Sequence, residues 1–238
     1  EKIKLPTKFS EVLTMCRTLK SRGYTPLAWP GAFRPQAGQI LNSAMMNQFG
    51  NYGEILRAVN QLETGVKDLT VPWFKDMATK YAQMRDAGCF PDNPTGVTEP
   101  SANNLFATEK AAILPTGSFS MGAIKAINPQ MEGRMALMSL YFTDSKPVYD
   151  GIHNNTFILS VNDNASSTDQ QIAKAFISFM LQPNIASEYA NGTTQHVNVL
   201  GVKYNNIDLI NTGTFQQKKT LLAPRFLFKN LTLRNHME

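Results

Sequence analysis

Two cysteines, two tryptophans and three histidines in 238 residues leave little from which to build a metal or redox centre. Cys16 and Cys89 stand far apart, without the close paired spacing of a structural zinc site. There is no H-E-x-x-H pair, and His153, His196 and His236 fall in predicted loops with no nucleophile motif beside them. Gly117 and Gly122 lack the lysine that a phosphate-cradling loop places at fixed spacing. No stretch approaches the ~20 apolar residues of a membrane span. The polar, lysine-bearing start running into Pro6-Thr7 carries no signal-peptide pattern, so an export signal or lipid anchor is expected upstream of Glu1. These absences give the reading on chemistry: no catalytic residues, no metal ligands and no cofactor. A carboxylate pair for glycoside cleavage stays open, because its members need meet only in space.

What is present is ordinary soluble-domain composition, 42% hydrophobic and 17% charged, enough for a core of normal size. Net charge is +5, with Lys218, Lys219, Arg225, Lys229 and Arg234 thickening the C-terminal end. These cations form no basic helix or aromatic-basic stripe, so no nucleic-acid partner is expected. Cys16 falls on an apolar helix face, where a free cysteine packs as a small hydrophobe. A Cys16–Cys89 disulfide is the alternative and would suit an oxidising compartment. Met45-Met46, Met121, Met131, Met135 and Met138 read as core filler. Asn154, Asn164, Asn191 and Asn230 each begin an N-x-[ST] match, a pattern common by chance.

Apolar spacing predicts the elements. Thr7 caps a helix carrying Phe9, Val12, Leu13, Cys16 and Leu19, and Gly23 stops it. Residues 25–29 read as a buried strand broken by Pro30-Gly31. Further helices carry Ala37, Ile40, Leu41, Ala44, Met45 and Phe49, then Tyr52 to Leu62, then residues 71–87 with Gly88 as their end. After a loop over 89–100 come a helix at 101–108, a strand at 111–114 and a helix at 119–127. Strands are predicted at 135–142 and 157–161. Thr168 with Gln171 forms a capping box for a helix bearing Ile172, Ala175, Phe176, Phe179 and Met180, and a short helix at 184–190 ends at Gly192. Short strands separated by helices, without internal repeats, predict an α/β or α+β fold with long helical excursions.

Three segments carry a resemblance. Leu5-Pro6-Thr7-Lys8-Phe9-Ser10-Glu11 with Leu19-Lys20-Ser21-Arg22-Gly23-Tyr24-Thr25-Pro26 resembles a "P-T-W-x-E … L-K-x-x-G-x-x-P" entry. Phe106-Ala107-Thr108-Glu109-Lys110-Ala111-Ala112-Ile113, then Thr116-Gly117-Ser118-Phe119, resembles "F-x-x-G-x-A-A-M … G-x-W". Gly151 to Val161, the helix Ile172–Leu181 and Asn191-Gly192 resemble a strand, an "A-x-x-F-i-x-f-l" helix and an "x-G-x-x-P" turn. Together, over about residues 5–200, they resemble the family 1 extracellular solute-binding proteins of ABC transporters, the maltose-binding-protein-like group. Phe9 departs from a usual tryptophan, Glu109 from a frequent glycine, and Val197 or Asn198 from a proline. The opening βα units of the first lobe have no counterpart.

The resemblance implies a type II periplasmic-binding-protein-like α/β fold, with a helix-rich second lobe and a partial first lobe. It would place 1–148 in the second lobe and return 149–200 to the first; 201–238 has no assigned place. It implies an extracellular or periplasmic, bacterial cell-surface lipoprotein, monomeric, that binds a carbohydrate without covalent chemistry. The expected partners are the ligand and ABC permease subunits, and the membrane would be reached only through an upstream anchor. A sensory module of the same fold, presenting ligand to a kinase, and a glycoside-active enzyme are the alternatives.

A sugar offers flat C–H faces and a rim of hydroxyls, so its site needs aromatic platforms beside fixed donors and acceptors. Phe119, at a strand-to-helix turn after Gly117-Ser118, aligns with the family's stacking aromatic. Trp29 and Phe33 flank Pro30-Gly31 at the C-terminal edge of the first strand, where α/β sheets bind ligands. Arg34 can fork hydrogen bonds to hydroxyls. His153, Asn154 and Asn155 precede the strand at 157–161, and asparagine is donor and acceptor at once. Gln195 and His196 complete the candidates.

Overall fold

The computed structural model describes residues 3–33, 40, 42–153, 158–216 and 220–222, with side chains described as far as 213. These form helices joined by very short parallel strands, in two compact units. Unit 1 comprises Glu1–Thr116, Met138–His153 and Gln216–Glu238; unit 2 comprises Gly117–Leu137 and Asn154–Phe215. The bounds expected for the lobes, 148 and 200, were drawn from the resemblance and not from contacts.

In unit 1, α1 (Phe9–Ser21) buries Phe9, Val12, Met15, Cys16 and Leu19, the stripe that its spacing predicts. Its start differs from expectation. Thr7 does not accept from the helix; its N–H and hydroxyl both donate to the Glu11 carboxylate, at 2.9 Å each. Asp144 supplies the cap from afar, its Oδ1 accepting the Ser10 N–H at 2.8 Å. That bond holds the Asp144 carboxyl below its ordinary range. Gly23, at φ 82°, turns the chain out of the helix.

β1 (Thr25–Leu27) pairs in parallel with β2 (Ala111–Ile113), Thr25 opposite Ala111 and Leu27 opposite Ile113. On its other side the Leu27 N–H donates to the Cys89 carbonyl. Between the strands run α2 (Tyr52–Glu63), α3 (Pro72–Asp86) and α4 (Glu99–Ala107). Asn51 caps α2 by accepting the Glu54 N–H at 3.1 Å. Thr98 caps α4, so this helix begins earlier than expected, with Pro100 tolerated in its first turn. Residues 42–45 are helical, with Ile40, Ala44 and Met45 buried; Ala37 and Leu41 of that expected helix lie outside the described residues.

Cys16 and Cys89 are joined by a disulfide, and both are fully buried. Around them an aromatic string runs from Phe9 to Phe142 (5.7 Å between centroids), Tyr81 (6.0 Å), Phe90 (6.3 Å) and Trp29 (4.8 Å). Burial pushes the Tyr81 phenol well above its ordinary value. β3 (Gly151–His153) pairs in parallel with β4 (Thr220–Leu222), which gives a partner to part of the C-terminal stretch.

Unit 2 contains α5 (Met121–Ile127), α6 (Ser167–Met180), α7 (Pro183–Thr193) and α8 (Ile207–Gln216). The strand expected at 135–142 does not form. The chain passes between units at 137–138, and its apolar residues are spent on packing, Phe142 against Phe9, instead of on a ladder. Residues 158–161 are likewise in no strand. Ser166, not Thr168, opens α6: its Oγ accepts the Asp169 N–H and donates to the Asp169 carboxylate. α7 runs on through Gly192 and stops at Thr194, which takes the left-handed conformation itself at φ 56°.

Candidate functional site

Of the expected ligand contacts, Trp29, Phe33 and His153 belong to unit 1 and Phe119 to unit 2. Arg34, Asn154 and Asn155 lie outside the described residues.

Trp29 and Phe33 sit on a rigid loop just past β1. The Ala32 N–H donates to the Val97 carbonyl at 3.0 Å, and Phe33 N–H to Pro30 at 2.9 Å. Gly31 presses on the neighbouring turn at 94–96: a Cβ there would lie 2.3 Å from the Pro94 carbonyl oxygen. Only glycine allows that approach. Trp29 packs on Phe90 and Tyr81, and its indole N–H is buried without an acceptor among the described residues. Such an unpaired donor typically costs about 1–3 kcal/mol. Phe33, 40% exposed, presents its ring outward. One aromatic is therefore anchored in the core and the other is open.

The approach to His153 is held by groups that sequence reasoning passed over. Asn47 Oδ1 accepts the N–H groups of Val148 and Tyr149 at 2.7 and 2.9 Å, while its amide donates to the Tyr149 carbonyl at 3.1 Å. Tyr141 donates its hydroxyl to Asp150 at 2.8 Å, and its phenol is raised by burial and by that carboxylate. Asn47 lies some hundred positions from its partners in sequence, and nothing local marks it. His153 ends β3 with its side chain exposed.

In unit 2, residues 118–120 form a single tight turn leading into α5, and Phe119 stands on it, 45% exposed. Its ring folds back over Gly117: a Cβ at 117 would lie 2.5 Å from Phe119 Cε1. The missing side chain makes the seat that holds the ring, leaving ring surface free to stack on a flat apolar partner. α5 is pinned from below by Asp208, fully buried. Its Oδ1 accepts the Gly133 N–H at 2.9 Å, and Lys125 Nζ stands 3.1 Å from its Oδ2.

Asn191 knits the other side of unit 2. Its amide donates to the carbonyls of Ser187 and Lys203, and its oxygen accepts from Asn205 and Asn206 N–H, all at 2.8–3.0 Å. The Gln195 N–H donates to the Ala190 carbonyl. His196 Nε2 lies 2.9 Å from the buried Thr212 hydroxyl, with its ring edge-on to Tyr204, and burial lowers its pKa. These links tie His196 into the framework of its unit.

A family model described as bacterial extracellular solute-binding protein matches residues 1–186. No curated protein sequence matches. Among solved structures, RafE in complex with raffinose superposes with a TM-score of 0.74 at 18% identity, covering 99% of this chain and 62% of that one. RafE from Streptococcus pneumoniae without ligand gives 0.69 at 19% identity, over 99% and 61%. A chitin oligosaccharide binding protein gives 0.68 at 16% identity, over 93% and 55%. A sugar transporter protein from Bacillus licheniformis in complex with stachyose gives 0.65 at 15% identity, over 95% and 58%. The fold is thus type II periplasmic-binding-protein-like, and the chain spans less than two-thirds of the length of these relatives. Among the described residues no helix is long and apolar enough to cross a membrane. A family match over most of the chain and a fold shared across such low identity agree: this chain belongs to the bacterial extracellular solute-binding protein family.

Proposed function

We propose that the chain is part of the extracellular solute-binding component of an ABC importer, one that holds a carbohydrate, favouring an oligosaccharide, without transforming it. The observation that carries this is the half-exposed Phe119 ring, braced on Gly117 in a family whose similar structures are described with raffinose, stachyose and chitin oligosaccharide. In this reading Phe119 stacks on a C–H face of the sugar, Trp29 and Phe33 give further aromatic surface, and Arg34, His153, Asn154 and Asn155 read hydroxyls. The ligand sits in an inter-lobe cleft whose closure creates the shape that permease subunits recognise. The second lobe takes 1–148, and 149–200 returns to the first. The protein acts as a monomer at the bacterial surface, tethered by an upstream anchor.

Calorimetry of the protein as encoded, against raffinose, stachyose and chitin oligosaccharides, tests the reading. Phe119→Ala should weaken binding of the favoured sugar by about 1–3 kcal/mol, the usual worth of a central aromatic contact. Unchanged affinity removes Phe119 from the site. No heat with any saccharide, or release of shorter sugars from the mixture, overturns the function itself.

A further inference from the structure

Helix α6 has two apolar faces. Ala173, Ile177 and Met180 are half-buried within the structure, whereas Ile172, Phe176 and Phe179 are 62%, 53% and 47% exposed. Gln171, Lys174 and Ser178 make the polar remainder. At 3.6 residues per turn the exposed stripe lies about a third of a turn from the half-buried one. A helix resting on a single layer needs one apolar face; a helix between two layers needs two. None of its fourteen residues is buried. The extended stretch preceding it in sequence repeats the pattern: Ile158 and Leu159 are 79% and 55% exposed, and 158–160 has no strand partner among the described residues.

We infer that the Ile172–Phe179 stripe is an internal surface, covered in the assembled protein by the sheet-forming polypeptide that the solved relatives have and this chain does not span. The occupant follows from lengths. Nearly all of this chain is matched, yet it reaches only 62% of RafE and 55% of the chitin oligosaccharide binding protein. More than a third of each relative is therefore unaccounted for, while here two rows of apolar side chains and an unpaired extended backbone face outward. A second copy would offer another α6 stripe, but it would supply nothing equivalent to that missing share. The inference stands apart from the sugar reading, since its test uses no ligand.

The test joins residues 1–238 to the coding sequence that precedes them and measures backbone hydrogen exchange over 158–180 with Phe176→Lys and, as a control on the polar face, Lys174→Gln. Phe176→Lys should speed exchange across this segment at least tenfold, and Lys174→Gln should leave it unchanged. Equal exchange in the two variants overturns the inference, as does a gene with no coding sequence there. Light scattering gives a second readout: a dimer of the joined protein that Phe176→Lys dissolves would assign the stripe to a second copy, and that also overturns it.

Discussion

The two units are held together by different means. Unit 1 is a continuous apolar core: α1, α2 and α3 press Val12, Leu19, Ile55, Leu62, Met77 and Met84 into one cluster around the disulfide and the aromatic string. Unit 2 buries only a few apolar side chains, among them Met121, Ile124 and Leu209, and relies on directional links: Asp208 with Lys125 and Gly133, Asn191 with four backbone groups, His196 with Thr212. Its largest apolar residues point outward instead. Hydrophobic burial tolerates small displacements, whereas a buried charge or amide loses its value once its partner shifts. Unit 1 should therefore resist perturbation as a whole, and unit 2 should fail at single polar positions.

The largest effect should come from opening the disulfide. Cys16 and Cys89 close a loop with a sequence separation of 73 residues, for which chain entropy gives a stabilisation of about 4 kcal/mol. Cys16→Ala with Cys89→Ala should lower the denaturation midpoint of unit 1, read by Trp29 and Trp73 fluorescence; an unchanged midpoint would mean that the apolar core alone holds the unit. Next comes Asp208→Ala, which strands the Lys125 ammonium beside a cavity and should destabilise unit 2 by about 3 kcal/mol. Limited proteolysis should then cut unit 2 before unit 1, and cleavage of both together would erase the distinction. The smallest expected change is a gain. Glu109 sits at φ 58°, a left-handed conformation that a residue with a Cβ adopts at a cost of about 1 kcal/mol, so Glu109→Gly should raise the midpoint of unit 1 by that order.

Glu109 also shows what was legible beforehand. The resemblance marked it as standing where glycine is frequent, and the backbone supplies the reason. The amphipathic helices of unit 1 were readable because their apolar period is strict and their caps are local, as with Asn51 and Glu54. The N-terminus of α1 was not: its cap, Asp144, is distant in sequence. The segments 135–142 and 157–161 looked like strands because apolar β-formers crowd them, yet a strand exists only where a neighbour pairs with it. Within the site, the aromatics were visible by type and by place next to Gly31 and Gly117, whereas the supports Asn47, Asp150 and Asp208 act through long-range bonds that no local pattern announces.

The single disulfide bears on how the chain matures. With two cysteines in these 238 residues only one intramolecular pairing exists, so no shuffling among wrong bonds is needed. Cys16 leaves the synthesising machinery well before Cys89, and in that interval its thiol can pair only with another molecule. Secretion into an oxidising space at low chain density should thus give uniform monomer, whereas crowded oxidation should give linked dimers.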